Sequence, residues 1–585
     1  MRLGRGPGAA GAAALAVACV AAGGLAAGRG LVRGASWAPA RAATEPATAT
    51  QDPSPTVAPT AVAPTEPATS TGTATPTATA AASPTVTATA SPTATVPVSP
   101  TLAATDVPTP TEPGPTDPPP ASPTPTASPT PPEDPTPTSG PEPTATSGPA
   151  VRPPGRALLP VVLRGHLAGP GIFGMQISEN RFRDPEMIAA VRRAGAGWWR
   201  TFLFWDEVEP VETSPPTYDW RLVDPLFQAA DDAGLKVIAE IQGNPKWVAA
   251  YPGGPPRDLD ALARFVAAAV ERYDGDGVAD APGSPTVRYW ELYNEPDNTS
   301  GDLAQEGRGW GYWGHNGAEY ARMLKRVYPV VKIVDPRAQV VLGGIALDAF
   351  LPHGPFDPQF LDDVLAAGGG GSFDVMNFHY YPLFAANWER FGPDLVGKAR
   401  AVRAMLAAHG LDKPMMVTEA GLWSAAEPPY PPATETEQAR YVPQLYARAL
   451  ASELVAVCWF QYDDVELLDD PARGLVASDG RPKPAHRAYG VAADLLAGAR
   501  PAAPVRLAGD PGEVYRFERG SEQVVVAWTL DGSQATLRLA APSVLRVHFL
   551  GSRIVVRDAA DGRIDGVTEV VYGTDPVFLL VPAGP

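Results

Sequence analysis

Cysteine is almost absent from this chain: Cys19 and Cys458 are the only two in 585 residues. Cys19 lies in an apolar leader, so a chain trimmed of that leader keeps one thiol and forms no internal disulfide. Stability must then come from an ordinary large core. Cys458 stands in an apolar run with no basic neighbour in sequence, which reads as a packing residue rather than a nucleophile. Clustered basic residues are also lacking. The chain has 46 Lys and Arg against 64 Asp and Glu, a net charge of -18, and no basic stripe. That excludes binding to a phosphate backbone, hence nucleic acid, and suits a neutral sugar polymer better than an anionic ligand.

Long apolar runs are confined to the start. After Arg2 and Arg5, residues 9–27 are almost entirely Ala, Gly, Val and Leu. This predicts an export-signal region over 1–43, with small-residue cleavage points near Ala26–Ala27 and Ala38–Ala42. Gly23, Gly24, Gly28 and Arg29 interrupt the ~20 apolar residues that a membrane span needs. From 44 to 154 it is large apolar groups that are scarce, and no Lys or Arg occurs before Arg152. Pro, Thr, Ser and Ala dominate, as in SPTPTASPTPPEDPTPTSGPEPTATSGP. Such a segment has nothing to offset its chain entropy and reads as a disordered linker. It would hold a following domain off a cell surface or wall, and its Ser/Thr-Pro texture resembles an O-glycosylated stalk. The apolar run RALLPVVLRGH at 156–166 reads as an entry strand.

What is present begins after that. Eight β-rich runs alternate with helix-period stretches: 172–178, 197–205, 235–242, 287–295, 340–346, 373–381, 413–421 and 455–463. Eight βα units over 155–499 predict an α/β fold, a (β/α)8 TIM barrel. Beyond Arg500 the helices stop. EVYRFERG, QVVVAWTL, ATLRLA, VLRVHFL, RIVVRDAADGRI and VFLLVP predict a small antiparallel β-sandwich over 500–585, read mainly as a cover for the barrel flank.

Barrel active sites sit at the carboxyl ends of the strands. Strand four ends in Asn294-Glu295-Pro296 and strand seven in Thr418-Glu419-Ala420-Gly421. Two carboxylates three strands apart face each other across the barrel mouth, and glycoside cleavage needs such a pair. Asn294 and Glu295 can both reach the site only if the strand bulges or ends there, because strand side chains alternate.

At these residues the chain resembles clan A of the glycoside hydrolases, over about 171–490, with a texture closest to families 5 and 39. The resemblance implies a secreted retaining β-glycosidase acting on poly- or oligosaccharides. It makes Glu295 the acid/base, Glu419 the nucleophile and Asn294 the partner of the sugar 2-hydroxyl. Arg200 in GWWRTFLFW matches the strand-two Arg that keeps the nucleophile ionised. His379 and Tyr381 in FHYYP match a His-x-Tyr whose Tyr bonds the nucleophile, and Trp459 matches an apolar platform under the sugar. Trp205 and Trp247 are expected at outer subsites. Asn244 stands where family 5 commonly has a His, a departure that leaves the sugar open. GWGYWGHNG, ending in His315-Asn316-Gly317, reads as a substrate-shaping loop, since no second His or Cys clusters with it for a metal. No metal or cofactor is required, and the sequence leaves the oligomeric state unknown. The rival reading is a non-catalytic carbohydrate-binding protein of the cell surface.

Overall fold

A computed structural model describes residues 171–582, apart from 180, 252, 300–312, 349–354, 426–430, 465–471 and 507–511. The expected signal region, linker and entry strand lie outside the described residues, as do residues 309–312 of the GWGYWGHNG loop.

Eight parallel strands form one sheet in the order β5-β4-β3-β2-β1-β8-β7-β6. They are β1 (Phe173–Gln176), β2 (Trp198–Phe204), β3 (Lys236–Gln242), β4 (Tyr289–Asn294), β5 (Gln339–Gly344), β6 (Met376–Tyr380), β7 (Met415–Ala420) and β8 (Val457–Trp459). Parallel bridges Val341↔Val375 and Ile345↔Phe378 join β5 to β6 and close the barrel. All eight expected strands are found. A helix follows each: α1 (Pro185–Ala194), α2 (Asp224–Asp232), α3 (Leu259–Arg272), α4 (Gly317–Val334), α5 (Phe360–Ala366), α6 (Asp394–Ala408), α7 (Glu435–Ala451) and α8 (Pro484–Leu496).

Local chemistry sets where these helices begin. Asp184 and Asp258 accept from the first free amides of α1 and α3, and Pro185 takes a position where no amide is needed. Thr434 and Glu437 form a reciprocal capping box on α7.

The barrel interior is layered. Trp198, Ile238, Val341, Val375, Met416 and Cys458 form an apolar floor. Burial pushes the Cys458 thiol up to about 12, as fits a packing residue. Two residues further along several strands the same face turns polar, at Gln176, Arg200, Glu240, Glu291 and Thr418, all buried. The fold thus brings charge to the inside of the barrel just beneath its mouth.

The C-terminal part pairs a six-stranded antiparallel sheet, order β14-β13-β16-β11-β10-β9, with a two-stranded one, β12-β15. The strands are β9 (Arg500–Arg506), β10 (Gly512–Arg519), β11 (Glu522–Thr529), β12 (Ala535–Leu539), β13 (Ser543–His548), β14 (Arg553–Arg557), β15 (Thr568–Tyr572) and β16 (Val577–Pro582). Val525 and Ala527 point at Leu537, Leu539, Val570 and Tyr572 between the sheets. The alternate residues Val524, Val526 and Trp528 join the barrel's own core. Both faces of β11 are therefore buried, which is why QVVVAWTL reads as a nearly continuous apolar run. Strands β9 and β15 were not expected from the sequence, and RIVVRDAADGRI leaves the strand at Arg557 for a short 3-10 turn.

Candidate active site

The site is built at the ends of β4, β6 and β7. Strand β4 stops at Asn294, and Tyr293 and Glu295 adopt left-handed φ values of 68° and 41°. That break of alternation lets Asn294 and Glu295 reach the same cavity, as the expectation required. Its counterpart is a register shift between β6 and β7, where Phe378 pairs with Val417 but His379 pairs with Glu419. The bulge turns both Thr418 and Glu419 toward the barrel interior. Gly344 on β5 makes room for the histidine, since a Cβ there would lie 2.1 Å from His379 Nε2.

Glu419 is 2% exposed. Arg200 Nη1 donates to its Oε1 at 2.7 Å and the Tyr381 hydroxyl to its Oε2 at 3.1 Å. Glu295 is 5% exposed, and His379 Nδ1 lies 3.0 Å from its Oε1. Among the described residues Glu295 Oε2 is buried with no hydrogen-bond partner. One ligand-capable atom each of Glu295, His379 and Glu419 lie within 4.8 Å of one another. The two carboxylates thus face each other at close range.

Their surroundings separate them. Burial raises Glu295 well above the usual carboxylate range, and the nearby charges of Glu419 and Asp297 push the same way. Burial also raises Glu419, but Arg200 and the hydrogen bond from Tyr381 act against it. Glu419 therefore loses its proton first. Burial, Arg200 and Lys398 drive His379 well below the usual imidazole range, so the ring is neutral. With its hydrogen on Nδ1 the ring donates to Glu295 Oε1, and Nε2 faces Thr418 Oγ1 at 3.2 Å, a hydroxyl that also lies within reach of Glu291 Oε1 and Asn377 Oδ1. The acid proton then falls on Glu295 Oε2, the oxygen without a partner.

Several residues of this site escaped the sequence reading. Arg200 Nε and Nη2 both donate to Glu291, Nη1 also donates to Gln176 at 2.8 Å, and Glu240 Oε2 lies 2.7 Å from Nη2. Asn294 Oδ1 accepts from Arg200 Nη2 at 2.8 Å. Three carboxylates crowd one guanidinium, and burial with repulsion from Glu291 and Glu419 lifts Glu240 well above its usual range. Glu179, just past β1, is pushed up to about 7 by burial and by Glu419. Behind His379, the buried Lys398 of α6 bonds the carbonyls of Ala346 and His379 and pairs with Asp348 at 2.8 Å. A mid-strand Glu in LKVIAEIQ or VRYWELYNE was the available signal, because an ionisable group inside an apolar strand is costly without a partner.

Other expectations need correction. Trp205 is fully buried, stacked on Phe265 at 5.2 Å with its N–H on Glu209, so it belongs to the core and lines no subsite. Trp247 packs edge-on to Trp205 and remains partly exposed. Trp459 presents no open face: it is wholly buried and its N–H donates to the Arg473 carbonyl at 3.1 Å. Asn244 binds the Gly254 carbonyl and the Tyr293 hydroxyl, tying the β3 loop to β4. Asn316 precedes the first turn of α4, and His315 is exposed beside it.

Among the described residues, two side-chain sets have the composition of a cation site. In Glu295, His379 and Glu419 the guanidinium of Arg200 already supplies the positive charge. The second is Asp274, Asp276 and Asp280 in the loop after α3.

No family model matches the chain, and no curated protein does. Among solved structures it is similar to a family 39 glycoside hydrolase from the gut symbiont Bacteroides cellulosilyticus WH2. The identity is 23% over 71% of this chain and 81% of that one, with a TM-score of 0.52. A GH39 β-xylosidase from Caulobacter crescentus matches at 18% identity over 72% and 98%, TM-score 0.47. A GH30 endoxylanase from Clostridium papyrosolvens C71 matches at 14% identity over 71% and 97%, TM-score 0.46. The chain has the fold of the clan A glycoside hydrolases. At these identities the likeness establishes architecture, and the chemistry rests on the site itself.

Proposed function

We propose that this protein is a retaining β-glycosidase that cleaves O-glycosidic bonds of poly- or oligosaccharides by double displacement. The observation that carries the reading is the spacing of Glu295 and Glu419, whose nearest oxygens lie within 4.8 Å. Retaining enzymes hold their two carboxyl groups about 5–5.5 Å apart, whereas inverting ones leave about 6.5–9.5 Å for a water.

Glu419, kept ionised by Arg200 and Tyr381, attacks the anomeric carbon. The bond from that carbon to the leaving oxygen breaks as Glu295 Oε2 donates its proton. Glu295, now a carboxylate beside Glu419, takes a proton from water, which displaces Glu419 from the sugar and restores both groups. His379 holds Glu295 Oε1, so that Oε2 is the oxygen free to serve. Asn294, fixed by Arg200 Nη2, offers its amide N–H to the sugar next to the nucleophile. The apolar leader and the Pro/Thr segment support action outside the cell, with the segment as tether.

A panel of 2-deoxy-2-fluoro aryl glycosides tests the assignment, because the fluorine slows release of the glycosyl-enzyme. Peptide mass mapping should find the sugar on Glu419. Label on Glu295, or turnover of the panel with no trapped adduct, would overturn it.

A further inference from the structure

Where the sheet domain meets α7, strand β13 and the β11–β12 and β15–β16 loops border an open-mouthed cavity of about 290 Å³. Its polar walls are Arg440 of α7, Arg546 and His548 of β13, Ser533, Gln534 and Asp575. No Trp, Tyr or Phe lines it, so a neutral sugar ring finds no stacking surface there.

The charges do not cancel. Asp575 is shared between Arg440 Nε at 2.6 Å and His548 Nε2 at 3.3 Å. Arg546 has no such partner: among the described residues its side chain makes no ion pair, and its Nε is buried without an acceptor. A buried donor left unmade is costly, and Arg546 Nε in the wall of this cleft points to a ligand rich in acceptors. The guanidinium fork matches a planar carboxylate. The volume is at the lower end of ligand cavities, which run from about 300 to 1,000 Å³, and suits one sugar residue rather than a chain.

We propose that this cavity binds the carboxylate of a hexuronate residue, which makes the sheet domain a docking site for acidic branches or ends of the polysaccharide. The inference rests on the glycosidase reading for the identity of the polymer. It does not rest on that reading for the binding itself.

Calorimetry on the full chain tests it with three probes: a glucuronate-terminated disaccharide, its glucose-terminated analogue and inorganic sulfate. The uronide should bind at least about tenfold more tightly than either other probe. Arg546→Gln should erase that margin. Gln534→Glu should erase it too, since it sets a like charge on an exposed loop at the cavity rim, and it should leave aryl glycoside hydrolysis unchanged; it carries the test alone if Arg546→Gln fails to fold. Equal binding of uronide and neutral analogue, or of sulfate and uronide, overturns the proposal, as does unchanged uronide binding in Gln534→Glu. Uronide binding that Gln534→Glu abolishes, in a chain that hydrolyses no glycoside, supports the cavity and removes the glycosidase reading. Hydrolysis without uronide binding removes the cavity alone.

Discussion

Two buried arginines hold very different company. Arg200, in the barrel mouth, lies within 2.8 Å of three carboxylates, those of Glu240, Glu291 and Glu419, none more than 3% exposed. Arg448, where α7 meets the sheet domain, has one fully buried carboxylate, Glu513, gripped through Nε and Nη2. Its second acid, Asp394, is partly open to solvent and shared with the Tyr441 hydroxyl. Burial of charge is expensive in both places, but of these two arginines only Arg448 meets a fully buried acid one-to-one. The mouth keeps an excess of acid that the fold would be better without. Such an imbalance persists where protons must be held and released, and its absence marks a joint whose task is to hold.

Removal of charge from the two places should therefore have opposite consequences. Glu419→Ala should lower kcat on the order of 10^4-fold or more while leaving the melting temperature unchanged or raised, because a crowded carboxylate is gone. Glu295→Ala should cost ~10^2–10^4-fold on substrates with poor leaving groups and little on activated aryl glycosides, where no proton is needed. Azide should rescue the two variants with opposite anomeric outcomes, inverted for Glu419→Ala and retained for Glu295→Ala. Similar losses on both substrate types in Glu295→Ala would place it outside acid catalysis. At the junction, Arg448→Met strands Glu513 in the core and should cost about 3–5 kcal/mol by denaturant titration, with turnover per folded molecule unchanged. A stable Arg448→Met, or one that loses turnover while folded, would erase the contrast.

The smallest expected effect is the response to pH. Burial lifts Glu179 and Asp297 to about 7 and Asp206 to about 6, so near the barrel mouth the folded state keeps protons that the unfolded chain has lost. Their contribution to stability is complete below the ordinary carboxylate range and is lost as pH rises through about 6–7. Asp575 near the junction is lowered by Arg440 and His548, despite burial, and its contribution is lost only on acidification. Calorimetric melting temperatures should fall by a few degrees from pH 5 to pH 8. A flat or rising profile would show that these carboxyls are ionised in the fold.

Much of this was legible in the sequence because the signals were local. Each barrel strand announced itself by an apolar run, and Glu295 and Glu419 by their place at strand ends. The partners Arg200, His379 and Tyr381 were carried by the resemblance, and the structure sets each on the carboxylates. Glu240 and Glu291 were hidden inside strands, where their meaning depends on facing the same guanidinium across the barrel. Lys398 was hidden in a helix of ordinary period. Trp205 misled because an indole near a strand end looks like a sugar platform until Phe265 is seen against it. The cavity beside Arg546 needed three separate loops and strands to be brought together, which no spacing in the chain records.

The central claim is that Glu419 forms a bond to the sugar, so one spectrum tests it most directly. Proton NMR of the wild-type reaction on a β-aryl glycoside, recorded before mutarotation, should show the β-anomer of the released sugar first. First appearance of the α-anomer would mean a single displacement by water and would contradict the assignment of Glu419 as nucleophile.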